Sequence, residues 1–376
     1  MMYQDQDMLR CSIIRGGTSK GIFLKKNDLP KDPVERDKVI LKIFGSPDVR
    51  EIDGLGGADV LTSKLAIIGP STRSDADVDY TFGQVSFDKP FIDYKGNCGN
   101  ISAAVGPYAI DEGMVEAKEP YTDVRIHLTN SDKILVATVP VKDGKAVVDG
   151  NCHIDGVPGT GARIDIDWSD TAGSACGKLL PTGHPKDLIT IGEKQYEVSL
   201  IDMGNPLVFI SAEQLGMKGI ESVSEIEENK KLMQTIEKIR SEAALIFGMV
   251  DDAKKATTES PYAPFFAIVS KPTDYTALNG NLVRAQDIDI VSRLLFMLHM
   301  HKAYPITGTV CTGAAVKIKG SVAYEAANGC SNKTIRIGHP SGVVTVDVET
   351  DKDQIKKVKV YRTARRIMDG YVYVKK

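Results

Sequence analysis

Apolar residues along this chain fall mostly in short alternating or unbroken runs, separated by glycine-rich turns. That rhythm predicts strands. In the first half, residues 11–15, 22–24, 62–68 and 78–87 read as strands, with others near 124–128, 134–139 and 164–168. A helical period over 32–44 places Val34, Ile40, Leu41 and Phe44 on the apolar side of a surface helix. The second half gives strands near 196–201, 207–210, 265–269, 335–337, 343–348, 357–362 and 370–374, and amphipathic helices over 223–247 and 288–301. Strand, helix and strand recur in each half, which reads as a weak internal duplication.

Two stretches of small residues interrupt this pattern. Gly96-Asn97-Cys98-Gly99-Asn100 precedes Ile101-Ser102-Ala103-Ala104-Val105-Gly106, and Gly308-Thr309-Val310-Cys311-Thr312-Gly313 precedes Ala314-Ala315-Val316. Each cysteine is expected at the start of a small-residue helix that a curled sheet can enclose. Unpaired N–H groups and the helix dipole at such a start favour thiolate and bind carboxylates. Pro107 is expected to end or bend the first of these helices. The glycine- and proline-rich segment 173–185 is the natural boundary. The expected division is a first lobe over 1–183, completed by 365–376, and a second over 184–364.

Composition narrows the classes. With 376 residues, 42% hydrophobic and 26% charged, the chain has material for two ordinary globular cores. A net charge of −3 argues against nucleic acid as a partner, and no apolar run reaches membrane-spanning length. No targeting segment is visible, so a cytoplasmic location is expected. Six cysteines without a Cys-x-x-Cys pair do not make a disulfide framework. Cys152, His153, Cys176 and His184 match no familiar zinc spacing. No Gly-x-Gly-x-x-Gly fingerprint supports a dinucleotide.

Lys64 lies among small and apolar neighbours in residues 62–68. It is either an edge lysine that discourages strand pairing or an inward one, whose desolvated amine is a usable base. Gly16-Gly17-Thr18-Ser19-Lys20-Gly21 is either a plain hairpin turn or an N–H nest for a carboxylate. Asp202-Met203-Gly204-Asn205-Pro206 and Gly338-His339-Pro340-Ser341-Gly342 are adequately explained as turns.

Taken in order, Arg15-Gly16-Gly17-Thr18-Ser19-Lys20-Gly21, Ser63-Lys64, Gly96-Asn97-Cys98-Gly99-Asn100, Met203-Gly204-Asn205-Pro206, His339-Pro340-Ser341-Gly342 and Arg362-Thr363-Ala364-Arg365-Arg366 resemble the PrpF family of isomerases. The resemblance runs from near residue 9 to near 374. It implies an α+β fold of two pseudo-equivalent diaminopimelate epimerase-like domains, each a mixed β-sheet curled around a central α-helix. It places the site in a cleft between them, without metal or organic cofactor. Lys64 and Cys98 match the family's proposed catalytic positions, and Cys311 its second cysteine position. The implied reaction moves a C=C bond by allylic proton transfer in a small unsaturated di- or tricarboxylate. The leading expectation is 3-methylitaconate to 2,3-dimethylmaleate, with 2-methylaconitate and 4-oxalomesaconate as alternatives. Thr18, Ser19, Asn97, Gly99 and Asn100 are expected to hold one carboxylate. Thr312, Gly313, Ser341 and Gly342 would hold another, with Asn205 contributing. Arg15, Lys20 and Arg365 are candidates for charge balance. A two-thiol epimerase using Cys98 and Cys311, and a non-catalytic carboxylate-binding protein, compete with this reading. Homo-oligomer formation is left open.

Overall fold

The computed structural model describes residues 5–352 and 354–376. They form two units, one of residues 1–166 with 361–376 and the other of residues 167–360. In the first unit, β1 (Gln6–Gly16) pairs antiparallel with β2 (Ser19–Lys25), and β2 lies parallel to β3 (Lys64–Pro70). Next, β3 pairs antiparallel with β4 (Val78–Val85), which pairs with the short β5 (Ile92–Asp93). β4 is also parallel to β6 (Tyr121–Leu128), and β6 is antiparallel to β7 (Lys133–Lys142). The C-terminal strand Ala364–Lys375 pairs antiparallel with β1 over most of its length.

Helix α1 (Pro33–Phe44) starts where Asp32 accepts from the N–H groups of Val34 and Glu35, and stops at Gly45 in a left-handed conformation. It buries Ile40, Ile43 and Phe44 against Ile22, Leu24, Leu65 and Ile67. Helix α2 (Gly99–Asp111) touches β1, β2, β3, β6, β7 and the C-terminal strand, so the sheet curls around it. Its small residues make this closeness feasible: a Cβ on Gly106 would lie 2.8 Å from Val139 Cγ2. Pro107 does not end α2, which continues to Asp111. Burial on all sides outweighs one lost backbone hydrogen bond here.

The second unit repeats the pairing order. Strand Lys194–Met203 is antiparallel to Asn205–Ser211, which is parallel to Phe265–Ser270; that strand is antiparallel to Ile290–Phe296. Ile290–Phe296 is parallel to Thr334–His339, which is antiparallel to Gly342–Asp351. A long helix, Lys230–Ile246, and a buried one, Ile306–Lys317, occupy the places of α1 and α2 in this order. The duplication read from the sequence is therefore present in the topology. Both units are mixed sheets with helices, an α+β fold.

Four expectations are corrected. Residues 288–301 form strands Ile290–Phe296 and His299–Met300 rather than a helix, because Ile290–Phe296 is buried on both faces and so lacks alternation. The helix expected over 223–247 breaks at Asn229, whose side chain caps Lys230–Ile246 after the short helix Val223–Glu227. Segment 173–185 is not the boundary: Asp202, in the second unit, accepts from Ser174 Oγ and from the N–H groups of Ala175 and Cys176 at 2.7–2.8 Å. The units instead divide at 166/167 and 360/361. Cys311 does not open its helix, which begins at Ile306. No helix among the described residues is long and apolar enough to cross a membrane.

Candidate active site

Lys64 is the first residue of β3, a strand paired on both sides, and only 3% exposed. The inward alternative therefore holds. Gln84, its cross-strand partner on β4, accepts from Lys64 Nζ at 2.8 Å and donates through Nε2 to the Ser63 carbonyl at 3.1 Å. The ring of Phe82 lies 5.4 Å from the same nitrogen. The loop leading to Lys64 is held by Glu51, whose Oε2 accepts from Ser63 Oγ and Ala58 N–H, both at 2.6 Å. Burial pushes the Lys64 amine below its ordinary value, opposed by hydrogen bonding and charge interaction with Cys98 and by the charge of Asp59. Lys64 and Cys98 thus share one polar cluster.

Cys98 is the N-cap of α2 and makes no side-chain capping bond. Its carbonyl accepts the first intrahelical N–H, from Ser102, so the N–H groups of Gly99, Asn100 and Ile101 have no intrahelical acceptor. Asn97 donates to Ser131 Oγ at 3.1 Å. Asn100 reaches from the helix to the turn between β1 and β2: its Nδ2 donates to Thr18 Oγ1 at 3.1 Å, and its Oδ1 accepts from Thr18 N–H at 3.4 Å. Gly16 allows this docking, since a Cβ there would lie 2.2 Å from the Asn100 carbonyl oxygen. Ser19 is 2% exposed, and its hydroxyl has no hydrogen-bond partner among the described residues. Arg15 donates to the carbonyls of Gly17 and Thr363 at 2.9 Å.

In the second unit the start of Ile306–Lys317 meets the Gly204 turn, where Asn205 Nδ2 donates to Thr307 Oγ1 at 3.1 Å. This contact corresponds to Thr18 with Asn100, the amide and the hydroxyl having exchanged sides. Cys311 is fully buried in mid-helix and donates to the Ile201 carbonyl at 3.4 Å, and burial raises its thiol well above the ordinary range. Thr312 bonds Tyr304 at 2.9 Å, and a Cβ on Gly313 would meet Val346 Cγ1 at 2.6 Å. Thr312 and Gly313 are therefore packing positions, and the helix start expected at them lies at Ile306–Gly308 instead. Ser341 donates to the Lys302 carbonyl, and Tyr275 holds the carbonyls of His339 and Gly342 at 2.8 and 2.7 Å. Ser341 and Gly342 shape a hairpin turn.

The family model described as "PrpF protein" matches residues 6–375. The chain belongs to the PrpF family. This PrpF chain is 53% identical over 374 residues to the 3-methylitaconate isomerase of Eubacterium barkeri, covering 99% of this chain and 98% of that one. It is 39% identical to the 4-oxalomesaconate tautomerase of Pseudomonas putida, over 98% and 97% of the two chains. Among solved structures, a methylitaconate-delta-isomerase matches with a TM-score of 0.84 and 52% identity, over 99% of this chain and 97% of that one. A hydroxyproline epimerase from Agrobacterium vitis matches with a TM-score of 0.60 at 12% identity over 100% and 95%, and shows the epimerase-like fold alone.

Several residues around this PrpF-family site escaped the sequence reading. Gln84 and Glu51 carry no local signal, being separated from Lys64 by strand pairing and a loop. Arg362 has one, as the first residue of Arg362-Thr363-Ala364-Arg365-Arg366, but the motif alone does not separate it from the exposed Arg365. Arg362 is 4% exposed, and its Nε points at Asn100 Oδ1, 3.4 Å away.

Proposed function

We propose that this protein is a 3-methylitaconate Δ-isomerase, and that Lys64 and Cys98 carry the proton transfer. The observation that carries the reading is a desolvated lysine amine clustered with a helix-capping cysteine, in a chain 53% identical over nearly its whole length to a 3-methylitaconate isomerase. The neutral amine removes the proton from C3 of 3-methylitaconate, a C–H both allylic and next to a carboxylate. The C3–H electron pair becomes the new C2=C3 bond, the old C=C pair passes to the methylene carbon, and that carbon takes a proton to become a methyl group. The product is 2,3-dimethylmaleate, with no atom gained or lost. A lysine stem can serve two carbons about two bonds apart, returning the proton it took, and the Cys98 thiol is the alternative donor.

Charge develops on a carboxylate in the dienolate, so N–H donors there stabilise the transition state more than the ground state. The N–H groups of Gly99, Asn100 and Ile101, which have no acceptor within the helix, together with Ser19 and the Thr18 turn, support carboxylate binding in the first unit. Asn205 and Thr307 support the corresponding role in the second. Cys311, mid-helix with a strongly disfavoured thiolate, lends nothing to a two-thiol epimerase.

The test is proton NMR of 3-methylitaconate with the protein in D₂O. Loss of the vinylidene signals with growth of methyl signals is expected. An unchanged spectrum, with turnover of 4-oxalomesaconate instead, would refute the substrate assignment. Exchange of the C3 proton without bond movement would refute the isomerase reading itself.

A further inference from the structure

We propose that Arg362 is the cation that receives a substrate carboxylate at the Gly17-Thr18-Ser19 turn, and that it makes this site selective for dicarboxylates. This extends the proposed function and rests on its reading of the substrate as a carboxylic acid.

Buried charges in proteins are paired, because an unpaired one loses hydration that nothing repays. Arg362 departs from that rule. It forms no ion pair among the described residues; its Nη1 donates to the Tyr361 carbonyl at 2.8 Å and its Nε to Asn100 Oδ1 at 3.4 Å. Burial lowers its pKa to about 10, which still leaves a full positive charge at neutral pH, and no carboxylate opposes that shift. Its Cδ would lie 3.2 Å from a Cβ on Gly17, so the stem packs on the turn itself. A second, independent observation falls on the same turn. Ser19 Oγ, two residues on from Gly17, is buried with no hydrogen-bond partner among the described residues. Arg15, whose guanidinium reaches the same turn, spends Nη1 on the carbonyls of Gly17 and Thr363 and is itself pushed down by burial and by Arg365. A guanidinium without an acid, an unspent hydroxyl and a lack of carboxylates together call for an anion, and the guanidinium fork fits a carboxylate.

The test is calorimetric binding of methylmaleate, a dicarboxylate, and crotonate, a monocarboxylate, to the full chain and to Arg362→Gln and Arg362→Lys. The wild type should prefer methylmaleate. Arg362→Gln should weaken methylmaleate on the order of 10²-fold, as loss of one partner of a buried charge pair does. Arg362→Lys should lose less, and crotonate should change little. The ligand-free Arg362→Gln protein should melt no lower than wild type, since the substitution removes an unpaired buried charge. Unchanged methylmaleate affinity in Arg362→Gln overturns the proposal, as does a wild type without preference for the dicarboxylate. A ligand-free variant that melts or unfolds well below wild type also overturns it, by making Arg362 structural. Because binding is read without turnover, a wild type that binds methylmaleate through Arg362 but isomerises nothing would sink the proposed function and leave this inference standing.

Discussion

A lysine ammonium buried beside a neutral amide loses hydration that the amide only partly returns, so the uncharged amine gains ground. At Lys64 that amide is Gln84, and the opposing influences are Cys98 and Asp59. The reaction needs the free base, so kcat/KM should rise with pH through the Lys64 titration, at a pH below the ordinary lysine value of 10.5. Gln84→Glu puts a negative charge at the same place, favours the ammonium, and should move this acid limb to higher pH. Gln84→Leu removes the acceptor and should move it lower, as should Cys98→Ala. A pH–rate profile that shifts the same way in Gln84→Glu and Gln84→Leu would exclude the assignment. Lys64→Gln should cost about 10²–10⁴-fold in kcat, the usual contribution of a positioned base, with circular dichroism unchanged. The helix start at Cys98 was legible in the small residues that follow it, the burial of Lys64 was one of two readings its strand allowed, and a catalytic role for either came only from the family resemblance. Gln84 meets Lys64 through strand pairing and Glu51 meets the Lys64 loop from another turn, so no local pattern marks either, whereas Arg362 stands in a visible basic motif that does not tell which of its arginines is buried.

The central helices teach a different lesson about element boundaries. Cys98 and Cys311 look alike in sequence, each followed by small residues, yet Cys98 caps its helix and Cys311 lies well inside one that begins at Ile306. Small residues signal close packing all along such a helix, not only its start. By topology the counterpart of Cys98 is Pro305, the N-cap of the second helix. Cys311→Ser should therefore keep measurable isomerase activity, while a polar replacement in so buried a place lowers the melting temperature. Gly313→Ala sets two effects against each other. Alanine gains up to about 1 kcal/mol of helix propensity, but overpacking costs about 1–3 kcal/mol, and Val346 Cγ1 would stand 2.6 Å from the new Cβ. Net destabilisation is expected, read as a lower thermal midpoint; a rise would show that the adjoining strand yields easily. The misread residues 288–301 follow the same logic, since a strand buried on both faces has no alternation to distinguish it from a buried helix.

At the scale of the whole chain, the repeated order of strand pairings was only faintly visible, because topology survives where sequence identity does not. The boundary was misplaced because loops tied down by a buried carboxylate such as Asp202 have the same glycine-rich composition as linkers. The long register of β1 with Ala364–Lys375 makes the first unit depend on residues far along the chain. Deleting residues 361–376 should leave β1 with β2 alone, beside Ser12–Gly16, and hydrogen exchange should then show loss of amide protection in the first half of β1 while Asn205–Ser211 stays protected. Retained protection in that half of β1 would mean that this pairing is dispensable. The same arrangement orders events on the ribosome. Residues 167–360 can close their sheet as they emerge, whereas residues 1–166, although made first, wait with an open strand edge until the closing segment follows. The unit translated first is finished last, and Arg362 arrives with the segment that finishes it.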